Sequence, residues 1–142
     1  MNQAQITTGT KAKEVKRAWH HIDVKDKTLG RVASEIAQHL MGKNKAYFVR
    51  NLDCGDYVVV TNAKLVKVTG NKETQKNYYR HSGYPGGFKV ESLKALRARK
   101  PEDIIFHAVK GMLPDNRLQK RMMARLFVFT EEEHTYGDKF KN

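Results

Sequence analysis

The stretch TLGRVASEIAQHLMG, residues 28–42, has the spacing of a helix that packs on one side. Its apolar residues recur every three or four positions and so share one helical face. They are Leu29, Val32, Ala33, Ile36, Ala37, Leu40 and Met41. Thr28 suits the N-cap, and Gly42 suits the left-handed conformation that ends many helices. The pattern predicts an amphipathic helix between these two residues.

The segments on either side of this helix have the composition of strands. AWHHIDV, residues 18–24, precedes it, and YVVVT, residues 57–61, follows it after a basic loop. The second run is β-branched and aromatic throughout, as expected of a strand covered on both faces. Strand, helix and buried strand predict a parallel βαβ unit. A weaker strand is expected at residues 65–69 and another at residues 126–129, which gives an α/β fold with a mainly parallel sheet.

Three shorter helices are predicted in the second half of the chain. Ser92 can cap the first, and Pro101 ends it. Proline also fits the first turn of a helix, so a second helix is expected from Pro101 to about Gly111. Asn116 is the expected cap of a third helix that reaches Ala124.

The chain carries a large and unevenly placed positive charge. It has 142 residues and a formal net charge of +12 at pH 7. Residues 1–100 hold 20 basic and 8 acidic side chains, whereas residues 101–142 hold seven of each. A surplus of this size favours a polyanionic partner, and the contact is expected mainly before residue 101. We expect one α/β domain at residues 18–129, a basic N-terminal extension at residues 1–17 that is disordered in the free protein, and a C-terminal tail at residues 130–142.

The sequence argues against membrane insertion and secretion. No apolar run approaches the roughly 18 to 20 residues that span a bilayer. The N-terminus lacks the apolar stretch of a secretory signal, and the single cysteine, Cys54, fits a reducing compartment. The cytoplasm is the expected location.

Catalytic and cofactor chemistry finds little support in the residue pattern. Cys54 lies between two aspartates, which oppose formation of a thiolate nucleophile. No Cys-x-x-Cys pair suggests zinc, and residues 70–74 (GNKET) lack the spacing of a phosphate-binding loop. We therefore expect no enzyme activity, no metal, no cofactor and no small-molecule substrate. A small nucleotide-binding enzyme and a standalone RNA-binding regulator stay open as alternatives.

Basic and aromatic residues in loops and turns are the candidate RNA contacts. Lysine and arginine neutralise phosphates, while tyrosine, histidine and glycine-rich backbone can approach sugars and bases. The candidates are Arg31, Lys43, Lys45, Arg50, Lys64, Lys72, Lys76, Tyr78, Tyr79, Arg80, His81 and Lys89. Substitution of Lys43, Lys45, Arg50 or Lys72 is expected to weaken RNA binding and to reduce its dependence on salt.

Four motifs in register resemble one known family, the bacterial ribosomal protein L13 family. They are TLGRVAS at residues 28–34, DCGDYVVVTNA at residues 53–63, VTGNK at residues 68–72 and AVKGMLP at residues 108–114. The order and spacing agree from about Trp19 to Phe129. The resemblance implies a three-layer α/β/α sandwich around a four-stranded parallel sheet with extended basic loops. It also implies a place in the large ribosomal subunit, direct binding to large-subunit rRNA early in assembly, and neighbouring ribosomal proteins as partners.

The same resemblance extends the set of candidate RNA contacts. It implies that the KGMLP segment and residues 78–87 are loops that either face RNA or position the structure. The basic residues in and after the KGMLP segment join the candidates. These residues are Lys110, Arg117, Lys120 and Arg121. The sequence departs from the family where Gln119 replaces the usual glycine, and in the acidic tail at residues 131–133.

Overall fold

The structure is a computed structural model that describes residues 9–140. Its strands and helices follow one another as β1 (Trp19–Asp23), α1 (Leu29–Met41), β2 (Tyr57–Thr61), α2 (Lys72–Gln75), β3 (Asn77–His81), β4 (Phe88–Ser92), α3 (Leu93–Arg99), α4 (Glu102–Met112), α5 (Gln119–Met123) and β5 (Leu126–Val128). Short 3-10 helices lie at Ala12–Glu14, Ala63–Leu65 and Gly137–Phe140. The chain is a mixed α/β protein, as predicted.

The central sheet is parallel and has the strand order β1-β2-β5. Trp19 pairs with Tyr57 at one end of β1, and Asp23 pairs with Thr61 at the other. Val58 pairs with Leu126 on the other side of β2. β2 is therefore the central strand, which explains why its sequence is apolar at successive positions.

The prediction of four strands in this sheet is wrong, because residues 65–69 do not form a strand. They contribute an isolated parallel bridge between Thr28 and Lys67. The backbone of this segment instead bonds to the loop before α1: the N–H groups of Asp26 and Leu29 donate to the carbonyls of Leu65 and Lys67. In the described part of the chain the parallel sheet has three strands.

Helices cover one face of the sheet. Ile22, Val58 and Val60 point towards α1 and α4 in one buried cluster. Of the helical residues, Ile36, Leu40, Ile105 and Val109 are fully buried there. The helix α1 ends as predicted, with Gly42 at a φ of +77°. A Cβ at Gly42 would lie 2.4 Å from the Cys54 carbonyl oxygen, so glycine is also needed for space.

Aromatic side chains cover the opposite face of the sheet. Trp19 stacks on Tyr57 with ring centroids 4.4 Å apart, and Phe127 continues the stack at 5.9 Å. Tyr136 and Phe140, from the C-terminal segment, pack against the same indole ring. The described contacts thus place helices on one face and the C-terminal segment on the other. The three-layer sandwich is not confirmed and stays a prediction.

A separate antiparallel hairpin, β3–β4, lies beside α3 and α4. Tyr79 pairs with Val90 and Arg80 with Lys89. Leu93, Leu96 and Ile104 form a small buried cluster that receives Tyr78 from the hairpin. The predicted cap of α3 is present, because the Ser92 hydroxyl accepts a hydrogen bond from the Ala95 N–H at 3.3 Å. In the tyrosine-rich stretch at residues 78–87, residues 78–81 belong to β3 and residues 82–87 form the turn before β4.

Candidate nucleic-acid interface

Four shallow depressions follow one another along α4, from the β3–β4 hairpin to α5. Tyr78 and His107 line both the first, beside the hairpin, and the second, which reaches the first turn of α1. Met112 joins the second to the third, and Asn116 joins the third to the fourth. Because neighbouring depressions share residues, they form one continuous surface.

Cations dominate this surface. Nine lysines and arginines that line the depressions make no ion pair within residues 9–140. We call these nine residues the basic surface. They are Lys43, Arg50, Lys72, Lys76, Arg80, Lys89, Lys110, Arg117 and Lys120, and all are exposed. The two carboxylates that line the depressions have partners of their own: Glu91 pairs with Arg99 at 2.8 Å, and Asp103 pairs with Lys100 at 2.9 Å. The structure thus places nine of the sixteen predicted RNA contacts along four adjoining depressions, as cations without an ion pair within residues 9–140.

The hairpin end of the basic surface combines cations with aromatic rings. Arg80 and Lys89 are directly opposite each other in the ladder, an arrangement of like charges that costs stability unless an anion intervenes. Tyr78 turns inward and stacks on His107 at 5.0 Å, with the Lys76 ammonium 5.6 Å from its ring centre. Tyr79 lies on the outer side of the hairpin and is exposed. Both tyrosines are therefore next to the basic surface.

The remaining predicted cations lie elsewhere. Arg31 on α1 and Lys64 after β2 are exposed but do not line the four depressions. Arg121 lines a neighbouring depression that shares Leu52 with the third. His81 is exposed at the end of β3, where its Nδ1 accepts a hydrogen bond from the Gly83 N–H.

Lys45 is held inside the protein. Its ammonium pairs with the Asp56 carboxylate and donates to the carbonyls of Cys54 and Lys16. The side chain is only 15% exposed. Lys16 belongs to the N-terminal extension, so these bonds join that extension to the loop before β2. Residues 1–8 of the extension lie outside the described residues.

Arg125 is a second internal cation, and its role was not predicted from the residue pattern. Its guanidinium forms a fork on the Asp53 carboxylate. It also donates to the carbonyls of Asp56 and Leu40, each at 3.2 Å. Burial raises the pKa of Asp53, but the hydrogen bonds and charge of Arg125 outweigh burial and bring that pKa below its usual value. Arg125 thus fastens the start of β5 to the turn before β2 and to the end of α1.

Comparison with known proteins identifies the family. Residues 17–135 match the family model described as Ribosomal protein L13. The chain belongs to the ribosomal protein L13 family. It is 56% identical over 131 residues to the large ribosomal subunit protein uL13 of Dehalococcoides mccartyi, with 92% of each chain covered. The protein of the same name from Natranaerobius thermophilus is 52% identical and covers 93% of this chain and 92% of its own length.

The family motifs occupy structurally defined positions. The KGMLP segment forms the last turn of α4 and the loop after it, next to the third depression. Gln119, which replaces the usual glycine, donates from its side-chain amide to the Lys110 carbonyl at 3.1 Å. This side chain closes the C-terminal end of α4, so the departure from the family supports the loop by a side-chain contact. No described helix is long and apolar enough to cross a membrane.

His20, His39 and Asp56 form a cluster that sequence spacing did not reveal. Their ligand-type atoms lie within 4.8 Å of one another, in an arrangement that could hold a metal ion. Hydrogen bonds already occupy Asp56: His20 Nε2 is 2.8 Å from its Oδ2, while the Ala18 N–H and Lys45 contact Oδ1. The two histidine rings stack with their centroids 4.1 Å apart and their planes 27° from parallel. This geometry fits a hydrogen-bonded joint between β1 and the end of α1.

The pKa of His39 predicts a pH dependence of stability. Burial lowers this pKa below 6.5, and the neighbouring His20 lowers it further, against the opposing charges of Glu35 and Asp56. The unfolded state then binds more protons than the folded state as the pH falls through 6.5, so stability is lost in that direction. His39→Gln is expected to be less sensitive than the unchanged protein between about pH 7.5 and pH 5.5, as measured by urea unfolding. His107→Gln is the control, and equal pH dependence in all three proteins would contradict the prediction.

Proposed function

We propose that this protein is a structural component of the large ribosomal subunit that binds large-subunit rRNA through the basic surface. The observation that carries the proposal is the set of nine exposed cations along four adjoining depressions, with no carboxylate paired to any of them within residues 9–140. Family membership indicates the assembly, which is the large ribosomal subunit. The basic surface provides the cations that bind its RNA. The protein acts by binding and not by catalysis.

The chemistry of binding is neutralisation of phosphates by cations on a rigid support. Lysine and arginine that contact phosphates release bound counterions, which favours association and makes it dependent on salt. The surface follows α4 from a hairpin to a short helix, so the cations keep fixed positions relative to one another. Folded RNA is recognised largely through the shape of its backbone. A rigid basic surface can therefore select one RNA fold with few contacts to bases.

The structure suggests different roles for the predicted contact residues. We assign phosphate contact to the nine cations of the basic surface, and a position at its margin to Arg121 and His81. Arg31 and Lys64 are exposed at other sites, where they can contact separate RNA segments or neighbouring ribosomal proteins. Lys45 acts by holding the N-terminal extension to the domain, since its ammonium has three protein partners.

We further propose that three parts of the chain have different roles in rRNA binding. Residues 18–129 form the rRNA-binding domain, residues 1–17 extend it with further cations, and residues 130–142 form a tail. The tail contributes to the fold through Tyr136 and Phe140, which cover Trp19. Because the domain is held together without RNA, it can bind early, while the subunit is still assembling.

Sedimentation of a cell lysate tests the assembly directly. The lysate is run through gradients at moderate and at high salt, and the protein is followed by mass spectrometry. We expect it in the large-subunit peak at both salt concentrations, because many phosphate contacts act together with shape. A position at the top of both gradients would contradict the proposal and would leave a standalone RNA-binding regulator or a nucleotide-binding enzyme to be pursued.

A further inference from the structure

The outer face of the β3–β4 hairpin is apolar and exposed. Opposite residues in an antiparallel ladder point to the same face, so Tyr79 with Val90 and His81 with Phe88 form one face. Tyr79 is 65% exposed, Phe88 is 59% exposed and Val90 is 51% exposed. Exposed apolar side chains that adjoin one another mark interaction sites more often than isolated ones do.

Two of these side chains stack on each other and form an aromatic pair, which we call the platform. Tyr79 and Phe88 are diagonal neighbours across the ladder, and their rings are 5.7 Å apart with planes only 11° from parallel. Tyr84, at the tip of the hairpin, is also exposed. A platform of nearly parallel rings presents π-faces and edges to the outside, which suits stacking on another flat ring.

The turn that joins the two strands holds the platform in place. The Ser82 N–H donates to the Gly87 carbonyl, and the Gly87 N–H donates to the Tyr84 carbonyl. A Cβ at Gly87 would lie 2.0 Å from the Ser82 hydroxyl oxygen, so glycine permits this close turn. Little ordering is then required of the platform when it binds a partner.

We propose that the Tyr79–Phe88 platform stacks on an unpaired nucleobase of the RNA that the basic surface binds. The inference rests on the proposed function and specifies how bases, in addition to phosphates, are contacted. An unpaired base can be splayed out of the RNA and stacked on tyrosine or phenylalanine. Aromatic stacking of this kind is tolerant of sequence and adds substantially to affinity.

The charges of the hairpin favour a nucleotide over an apolar protein segment as the occupant. Arg80 and Lys89 lie opposite each other on the other face of the same two strands, within the basic surface. The outer face itself carries no carboxylate, since its residues are Asn77, Tyr79, His81, Phe88, Val90 and Ser92. An RNA strand that passes over the hairpin can therefore place a phosphate against the cations and a base against the rings.

Substitution of both rings by leucine tests the platform. The Tyr79→Leu/Phe88→Leu variant keeps apolar side chains but removes both π-systems. We expect its affinity for a large-subunit rRNA transcript to fall about tenfold or more. The slope of log Kd against log salt concentration should stay unchanged, because no charge is removed. Tyr79→Phe, which keeps the ring, should bind as the unchanged protein does, and Leu65→Ser controls for loss of an exposed apolar side chain elsewhere.

The outcomes separate this inference from the proposed function. Salt-dependent binding by the unchanged protein, together with equal affinity of the double-leucine variant, would overturn the platform but not the basic surface. A variant that binds naked RNA normally but fails to enter assembled subunits would show that a protein covers this face, which would also overturn it. Ultraviolet crosslinking of a 4-thiouridine-containing transcript, mapped by mass spectrometry, should place the crosslinked peptide at residues 77–92. Crosslinks confined to other peptides would count against the platform.

Discussion

Arg125→Met is expected to reduce the free energy of unfolding by about 2–4 kcal/mol, because it leaves the Asp53 carboxylate with Arg17, 3.5 Å away, as its remaining cationic partner. Arg125 is 7% exposed as a residue, and its guanidinium satisfies three separate parts of the backbone and side-chain structure. Methionine fills much of the space but donates no hydrogen bond. The loss therefore combines a weakened ion pair at Asp53 with carbonyl groups that lose their donor.

Urea unfolding followed by circular dichroism measures this loss. Arg121→Met is the matched control, since Arg121 is exposed and lies one helical turn earlier, and it should change stability by less than about 0.5 kcal/mol. Arg125→Lys keeps the charge but loses the fork, so an intermediate loss is expected. Adding Asp53→Asn to Arg125→Met should recover part of the stability, because it removes a carboxylate charge that Arg17 compensates only in part. If Arg125→Met were as stable as Arg121→Met, the pair would not support the fold.

The elements that sequence predicted well are those set by local signals. The apolar spacing of residues 29–41 predicted α1, because a single apolar face is enough to identify an amphipathic helix. Gly42 and Ser92 ended and started helices as expected, since both effects act within one turn. The apolar run at residues 57–61 predicted a buried central strand, because apolar side chains at successive positions must be covered on both faces of the sheet.

The elements that sequence did not predict depend on partners distant in the chain. Residues 65–69 have a strand-like composition, but their backbone groups are taken by residues 26–29. The cover over Trp19 comes from Tyr136 and Phe140, in a tail for which no contact was predicted. Composition could not reveal either arrangement, since each requires that segments far apart in sequence meet.

The candidate site also has features that the sequence predicts and features that depend on distant partners. Charge and residue type were sufficient to propose the cations of the basic surface, but not to separate them from Lys45. From sequence alone, lysine and arginine side chains are expected at the surface, because burial of a charge is costly. Lys45 and Arg125 are exceptions because Asp56 and Asp53 neutralise them. Only the three-dimensional positions of these carboxylates distinguish a structural cation from one that is free to contact RNA.

Neutralisation of the basic surface is expected to have the largest effect on RNA binding. The variant replaces five of its cations with glutamine: Lys43, Arg50, Lys110, Arg117 and Lys120. Each lost phosphate contact reduces the slope of log Kd against log salt by about 0.9, so a decrease of roughly four is expected. At about 0.1 M salt the affinity for a large-subunit rRNA transcript should fall on the order of 10²- to 10⁴-fold. Filter binding over a series of salt concentrations measures both quantities.

A second variant with the same net charge distinguishes a defined surface from overall attraction. It replaces five exposed lysines that lie outside the N-terminal extension and do not line the four depressions, Lys25, Lys27, Lys67, Lys94 and Lys139, with glutamine. If phosphates contact the basic surface, this variant should keep most of the salt slope, because long-range attraction is screened beyond about 10 Å at 0.1 M salt. Equal decreases in the two variants would mean that RNA contacts are spread over the molecule, and the continuous run of cations along α4 would then not define the interface.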